Sequence, residues 1–220
     1  LVSEALHEQK IADIARRIWS HEGNIRLVLI AGPSSSGKTT FSKRLAVQLL
    51  AHGLRPFALE LDNYFVNRED TPRDETGKYN FEALEAVDLA LFNQHLEALL
   101  NGEQVHLPRF DFRAGQRREG EKVQLEPDHI IIVEGIHGLN PRLVTSIPTE
   151  RTFRVFVSAL TQLNLDRHNR VPTTDTRLIR RIVRDARTRG YSAPETIDRW
   201  ESVRRGEKRY IFPHQKRADV

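Results

Sequence analysis

The chain has 220 residues and a formal net charge of +4, and 39 % of its residues are hydrophobic and 29 % charged. This composition suits a single α/β domain, and no apolar run approaches the roughly 20 residues of a membrane-spanning helix. The absence of cysteine excludes disulfides and thiolate metal sites and fits a cytoplasmic protein. The mild basic charge does not by itself indicate a nucleic acid partner.

The first predicted element is a charged amphipathic helix from Ser3 to Trp19, with apolar residues at helical spacing. We interpret it as a helix packed on the domain or as a linker. The chain begins at Leu1 without an initiator Met, so we also expect an upstream domain. The predicted division is an N-terminal helix or linker over residues 1–24 and a main domain over residues 25–220.

A phosphate-binding motif of the form G-x-x-x-x-G-K-[ST] occupies residues 32–39. The apolar, β-branched segment 26–31 before it predicts a buried parallel strand. Segment 40–50 after it repeats apolar residues four apart, which predicts an amphipathic helix. Strand, glycine loop and helix therefore follow one another in the order that a triphosphate site requires.

Each residue type in this motif has a physical role. Gly32 and Gly37 let backbone N–H groups turn toward an anion, and the helix N-terminus adds the positive end of its dipole. Lys38 is expected to reach the β- and γ-phosphates, and the Thr39 hydroxyl to ligate Mg²⁺. The predicted nucleotide-binding residues are Gly32, Ser34, Ser35, Ser36, Gly37, Lys38, Thr39 and Thr40.

A second strand is predicted from Phe57 to Leu61, and Asp62 follows it directly. Ligands of an open parallel sheet bind beyond the carboxyl ends of the strands, so we expect Asp62 to lie beside the phosphates. A carboxylate there can accept a hydroxyl proton or hold Mg²⁺ through water. The alternative is an Asp that only forms a turn or caps a helix.

The next segments predict a loop, a helix and a hairpin. Residues 66–80 are polar and turn-rich, as in a loop, whereas residues 81–101 predict a long amphipathic helix. Two short strands, 105–112 and 121–125, joined by a basic loop over 113–120, predict a hairpin inserted over a pocket.

The most strand-like segment runs from His129 to Val133 and ends at Glu134. An acidic residue in this place matches the carboxylate that helps to position Mg²⁺ in phosphate-loop proteins. The alternative is an edge carboxylate that caps a turn. Further predictions are a strand over residues 151–157 and a helix over residues 160–169.

The segment from Asp175 to Arg189 predicts a helix with a cationic face and an apolar face. At about 100° per residue, the cationic face spans about 120° and carries Arg177, Arg180, Arg181, Arg184 and Arg187. The opposite face, which we expect to be buried, carries Leu178, Ile179, Ile182, Val183 and Ala186. With few acids to neutralise them, the guanidinium groups repel one another until an anion binds, which favours a lid over ATP phosphates. A solvated basic face and an RNA-binding face are the alternatives.

The rest of the sequence predicts a helix over residues 193–205 and, at residues 218–220, the start of a strand that is cut short. No histidine pair has zinc-ligand spacing, which argues against zinc. No N-K-x-D guanine motif is present, which argues against a GTPase switch.

Six motifs occur together in this chain. They are GPSSSGKTT at 32–40, DNYF at 62–65, YNFE at 79–82, FDF at 110–112, EGI at 134–136 and DTRLIRRIVRD at 175–185. In combination they resemble the uridine kinase and phosphoribulokinase family, over residues 25–220. More narrowly, the chain resembles bacterial uridine-kinase-like proteins whose kinase domain follows a TGS domain and a threonyl-tRNA-synthetase-like domain, which implies such domains upstream.

The resemblance implies an α/β fold of the P-loop nucleoside kinase type: a parallel sheet flanked by helices, with a hairpin insertion and an arginine-rich helical lid. It implies Mg²⁺- and ATP-dependent phosphorylation of a nucleoside 5′-hydroxyl, with uridine or cytidine as the acceptor in pyrimidine salvage. Asp62 is then the base, and the charge that develops is neutralised by Lys38, Arg177, Arg181 and Arg184. The metal-binding residues are Thr39, Glu134 and Asp62, and the acceptor-binding residues are Tyr64, Phe81, Glu82, Phe110 and Phe112.

The chain departs from the family pattern at two acceptor contacts. Uridine-cytidine kinases carry Asp where this chain has Glu82, and a base-reading His where it has Gly115. We hypothesise that Arg117 substitutes for this His. Polar contacts give the largest discrimination between substrates, so another nucleoside or a sugar phosphate stays open as acceptor. An alternative from a different class is a non-catalytic, RNA-associated ATP-binding module. The sequence leaves open whether the chain forms a homo-oligomer.

Overall fold

The computed structural model describes residues 1–21, 24–159 and 164–220. The strands, in chain order, are β1 (Leu27–Ala31), β2 (Arg55–Glu60), β3 (Val105–Asp111), β4 (Gln116–Val123), β5 (His129–Glu134) and β6 (Thr152–Phe156). The helices are α1 (Val2–Trp19), α2 (Lys38–Ala51), α3 (Leu89–Leu100), α4 (Thr173–Arg184) and α5 (Ala193–Gly206). In this described part of the chain, no helix is both long and apolar enough to cross a membrane.

A parallel four-stranded sheet with the order β2-β5-β1-β6 forms the centre of the fold. All residues of β1 are buried, as expected of a central parallel strand covered on both faces. The register places Ile30 beside Glu134 and Glu60 beside Glu134. The carboxyl ends of β1, β2 and β5 therefore meet at one edge of the sheet. The predicted α/β fold with a parallel sheet is confirmed.

Two apolar clusters cover the two faces of the sheet. One cluster joins the sheet to α3 and to the β3–β4 hairpin through residues such as Phe92 and Leu107. The other joins the sheet to α1 and α2 through residues such as Ile11 and Leu45. Helix α1 is thus packed on the domain.

The helix predicted over residues 81–101 is wrong in its first part, because α3 begins only at Leu89. The Asp88 side chain caps α3 by accepting a hydrogen bond from the Leu91 backbone N–H. Residues 81–88 instead form turns and a short 3₁₀ segment, and Val87 makes an antiparallel bridge to Phe65. Helical spacing of apolar residues does not distinguish these turns from a helix, because both bury the same side chains.

The hairpin is confirmed, but the predicted basic loop over residues 113–120 is too long. Strand β4 already begins at Gln116 and pairs antiparallel with β3. Its basic residues are accommodated in the strand because Arg117 pairs with Asp88 and Arg118 with Asp111.

The helix predicted over residues 160–169 lies partly outside the described residues, and the part that is described is not helical. Residues 164–169 form a bend in which the Asp166 carboxylate accepts the backbone N–H groups of His168 and Asn169. This local turn competes with helix formation.

At the end of the chain, α5 lies where a helix was predicted and starts with a capping box of Ser192 and Glu195. The strand start predicted at residues 218–220 lies against β6. The Asp219 N–H donates to the Arg154 carbonyl, and the Phe156 N–H donates to the Val220 carbonyl.

If α1 is an integral part of the domain, truncating its buried side should destabilise the whole protein. Ile11 is fully buried, whereas Leu6 on the same helix is 53 % exposed. We expect Ile11→Ala to lower the free energy of unfolding by about 3 kcal/mol, and Leu6→Ala to change it by less than about 0.5 kcal/mol. Urea denaturation of both variants checks this. Equal small effects would show that α1 is only a linker.

Candidate functional site

The phosphate-binding motif forms a loop between β1 and α2. Gly32 and Gly37 have φ angles of +156° and +107°, values that favour glycine. A Cβ atom at Gly32 would also collide with the Val157 carbonyl oxygen. Gly37 is the N-cap of α2, so the loop leads directly into the helix N-terminus.

Several polar groups of this loop are buried without a protein partner. Within the described structure, the hydroxyls of Ser35 and Ser36 have no hydrogen-bond partner. The Lys38 side chain is also buried, and its ammonium group lies 3.4 Å from the Pro33 carbonyl oxygen. Burial lowers the pKa of Lys38, while the Glu134 carboxylate acts in the opposite direction. A bound phosphate at this helix N-terminus would pair with the buried cation and accept hydrogen bonds from the unpaired hydroxyls. These residues therefore fit a nucleoside triphosphate.

Two carboxylates lie at the same edge of the sheet. The Thr39 hydroxyl donates to the Glu134 carboxylate at 3.1 Å, and burial raises the pKa of Glu134 while Lys38 opposes this shift. Asp62 is close enough for its charge to act on both Lys38 and Glu134. Over the described residues, no group of three or more His, Asp or Glu side chains could enclose a metal. Thr39 and Glu134 instead fit Mg²⁺, which keeps several waters and is completed by phosphate oxygens.

Asp62 is paired with an arginine that sequence analysis did not select. The Arg189 guanidinium donates to the Asp62 carboxylate at 3.1 Å and lies over the Phe112 ring, 4.2 Å from its centroid. Arg189 belongs to the stretch that was analysed as a helix, but it lies off the predicted cationic face.

The orientation predicted for α4 is wrong. Two arginines of the predicted cationic face are buried, with Arg177 at 2 % and Arg181 at 9 % exposure, while Arg180 and Arg187 are exposed. On the face that was predicted to be buried, Ile179 and Val183 are 61 % and 46 % exposed. The cause is a set of acids, two of which, Glu207 and Glu82, lie outside the segment of the helical wheel. Arg177 pairs with the fully buried Glu207, and Arg181 pairs with Asp185 at 3.3 Å and with Glu82 at 3.8 Å.

The same arginines bind the phosphate loop. Arg177 Nε donates to the Ser34 carbonyl at 2.9 Å, and Arg181 Nη1 donates to the Ser34 hydroxyl at 2.8 Å. Arg184 pairs with Asp185 at 2.7 Å and lies near enough to Lys38 to help lower its pKa. The Arg180 guanidinium lies over Gly37 and has no ion pair among the described residues. The structure thus brings α4 to the phosphate loop as expected, but with Arg177 and Arg181 already neutralised.

Among the predicted acceptor-binding residues, Phe110 and Phe112 belong to an aromatic cluster near Asp62. Phe110 and Phe112 contact each other and Phe65 edge to face, with centroid distances of 5.1 to 6.5 Å. Through Phe112 and Arg189 this aromatic cluster borders Asp62. Phe81 contacts Tyr79 at 6.0 Å, and Glu82 is buried with its Oε2 atom unpaired among the described residues.

Two of these predicted residues are engaged in other contacts. Tyr64 is fully buried, where it packs on Phe92 and its hydroxyl lies 3.2 Å from His95 Nδ1. The Arg117 guanidinium donates to the Asp88 carboxylate at 2.8 Å. The side chain that lies against Gly115 is Arg68, whose guanidinium carbon is 2.6 Å from the position that a Cβ atom would take.

A glycine-bounded phosphate loop after an inner strand of a parallel sheet, with Glu134 at the end of the adjacent strand β5 and Asp62 beyond the end of β2 on the far side of β5, defines a P-loop nucleotide-binding domain. The chain belongs to the Phosphoribulokinase / Uridine kinase family, whose model matches residues 27–220.

Two curated relatives illustrate the similarity. A uridine kinase of Bacillus pumilus is 32 % identical over 192 residues, covering 87 % of this chain and 82 % of the relative. A uridine kinase of Halobacterium salinarum is 30 % identical over 193 residues, covering 87 % and 76 %. The solved structure of a possible uridine kinase from Bacillus stearothermophilus superposes with a TM-score of 0.55 at 21 % identity, covering 89 % of this chain and 87 % of that one. At that identity, the likeness supports the fold alone.

The buried pair of Arg177 and Glu207 predicts that Arg177 is first of all a structural residue. Removing one partner of a buried ion pair leaves the other charge uncompensated. We therefore expect Arg177→Gln to lower the free energy of unfolding by about 3 kcal/mol. Arg187→Gln, an exposed position in the same stretch, should leave stability unchanged within about 0.5 kcal/mol. Chemical denaturation measures both; a stable Arg177→Gln variant without activity would instead show a purely catalytic role.

Proposed function

We propose that the protein is an ATP-dependent nucleoside kinase that transfers the γ-phosphate to the 5′-hydroxyl of a nucleoside, with uridine or cytidine as the acceptor. The observation that carries the proposal is the meeting of the phosphate loop, Asp62 and Glu134 at the carboxyl ends of three neighbouring parallel strands. The relatives described as uridine kinases, which match most of this chain, support the same reaction.

In this proposal the phosphate loop holds the donor. The backbone N–H groups at the α2 N-terminus, the Ser35 and Ser36 hydroxyls and the Lys38 ammonium group face the phosphates. Mg²⁺ would be held by the Thr39 hydroxyl directly and by Glu134 and Asp62 through water, and it would neutralise charge on the phosphate oxygens. Arg184 and Arg180 lie near Lys38 and Gly37, where they add positive charge to the same site.

Asp62 is the proposed base. It lies in the 3₁₀ turn Leu61–Tyr64 that follows β2, and its side chain is 39 % exposed, so an acceptor can reach it. The 5′-hydroxyl gives its proton to the Asp62 carboxylate as the hydroxyl oxygen forms a bond to the γ-phosphorus. The bond between that phosphorus and the β-phosphate oxygen breaks, which leaves ADP and the nucleoside monophosphate.

The acceptor contacts follow from the groups beside Asp62. Phe110 and Phe112 offer aromatic surface for a base, and the unpaired Glu82 Oε2 is a free acceptor for a sugar hydroxyl. Arg117 is held by Asp88, so our hypothesis that it reads the base requires that this ion pair opens. A different nucleoside, or a sugar phosphate, remains the second candidate acceptor because both departures from the family pattern lie among these contacts.

Three further predictions concern the protein outside this site. The upstream TGS and threonyl-tRNA-synthetase-like domains, the cytoplasmic location and homo-oligomer formation remain predictions. The RNA-associated alternative also remains a prediction, because Arg177 and Arg181 pair with acids whereas Arg180 and Arg187 of the same face are exposed.

We expect Asp62→Asn to lower kcat by about 10²- to 10⁴-fold, because the hydroxyl loses its proton acceptor. Binding of Mg·ATP should change much less than kcat, since Lys38, the loop, Thr39 and Glu134 remain and Asn can still accept a hydrogen bond from a metal-bound water. Coupled measurement of ADP release with uridine gives kcat, and calorimetry gives the nucleotide affinity. Asp70→Asn, at an exposed site outside this cluster, is the control. Transfer by Asp62→Asn at close to the wild-type rate would refute the assignment of the base.

The acceptor itself is tested by screening nucleosides and ribulose 5-phosphate for acceptor-dependent ADP release. Uridine or cytidine should give the largest increase over the acceptor-free rate. Release that responds to no acceptor, together with RNA binding that weakens steeply with salt, would favour the non-catalytic alternative.

A further inference from the structure

The Asp62 carboxylate and the Phe112 ring are both contacted by a single side chain. Arg189 donates to Asp62 at 3.1 Å, and its guanidinium lies 4.2 Å from the Phe112 centroid. The Arg189 side chain is only 19 % exposed, whereas that of Asp62 is 39 % exposed. The planar cation therefore lies where both an acceptor hydroxyl and an acceptor base would have to lie.

We propose that Arg189 is a latch that stays paired with Asp62 and stacked on Phe112 until the acceptor displaces it. A nucleoside matches both of its contacts, since a hydroxyl can replace the guanidinium at Asp62 and a flat base can replace it on the Phe112 ring. This inference rests on the proposed function and adds to it a control on when Asp62 can act as a base. With Asp62 paired to Arg189, bound water is not deprotonated, and ATP is protected from hydrolysis in the absence of acceptor.

The backbone around Arg189 allows such a movement. Residues 185–189 continue α4 as a single π-helical turn, a form that is rare and often found at functional sites. Gly190 follows with a φ of +74°, and a Cβ placed there would meet no atom closer than 3.6 Å. The segment therefore ends in an open, glycine-hinged turn.

A second acid keeps Arg189 near the site when the latch opens. Asp185 lies 3.8 Å from Arg189 Nε and also pairs with Arg181 and Arg184. Release from Asp62 therefore leaves the guanidinium with one carboxylate partner, which makes an exchange of partners less costly than exposure of a free buried charge.

The latch is tested on the ligand-free protein by carbodiimide coupling of an amine to Asp62, read by peptide mass spectrometry. We expect Arg189→Gln to label Asp62 several-fold faster than wild type. Arg113→Gln, which removes an exposed arginine that packs beside Gly190, should label at the wild-type rate. Equal labelling of Asp62 in wild type and Arg189→Gln would overturn the proposal.

Two further readouts separate the latch from a structural role. Without acceptor, Arg189→Gln should release ADP from Mg·ATP several-fold faster than Arg113→Gln, and its Kd for uridine in the absence of nucleotide should fall several-fold. Unchanged values of both would contradict the latch. Arg189→Lys, which keeps the charge but loses the planar contact with Phe112, should give intermediate labelling and replaces Arg189→Gln if that variant does not fold.

The outcomes also distinguish the two proposals. Faster labelling of Asp62 in Arg189→Gln, with no nucleoside able to stimulate ADP release by wild type, would leave the latch standing and refute the nucleoside kinase. Normal kinase activity of the wild type, with Asp62 labelled equally in wild type and Arg189→Gln, would support the nucleoside kinase and refute the latch.

Discussion

The structure depends on the neutralisation of a buried cation. Arg177 is 2 % exposed and joins three parts of the chain, because it donates to the Ser34 carbonyl of the phosphate loop, pairs with Glu207 after α5, and lies 5.3 Å from the Trp200 ring. A buried guanidinium without a carboxylate is strongly unfavourable, so α4, α5 and the loop must assemble together. Glu207 pairs in addition with Arg204, which completes a buried cluster of two cations and one anion.

This constraint explains why α4 turns Arg177 and Arg181 inward. The wheel of α4 separates arginines from aliphatic residues, and on a helix alone the aliphatic side would be expected to be buried. Two of the acids that reverse this expectation come from other elements, since Glu207 follows α5 and Glu82 precedes α3. The third, Asp185, lies at the end of α4 itself. Buried ion pairs therefore override amphipathic patterning, and they leave Ile179 and Val183 exposed.

Much of the fold and part of the site follow from local patterns. The sheet was predictable because β1 and β5 are continuous apolar runs, and because a glycine loop fixes the strand before it and the helix after it. The proximity of Thr39 and Glu134 was predictable, because the phosphate loop and Glu134 both lie at the carboxyl ends of adjacent parallel strands. The start of α3 was not predictable, because the Asp88 side chain caps the helix at Leu89 although the eight residues before it also have helical spacing. The place of Arg189 in the site was not predictable either, because its partners Asp62 and Phe112 are distant in sequence.

The distribution of charge around the phosphate loop shows what remains to be bound there. Arg177, Arg181, Arg184 and Arg189 each form an ion pair with a carboxylate of the protein, although Asp185 and Glu207 are shared between arginines. Lys38 is buried without a carboxylate in hydrogen-bonding contact, and Arg180 has no ion pair in the described part of the chain, yet both lie at the α2 N-terminus. Lys38 and Arg180 therefore place positive charge without a carboxylate partner at the phosphate loop. A compact polyanion that fits the loop would pair with both groups.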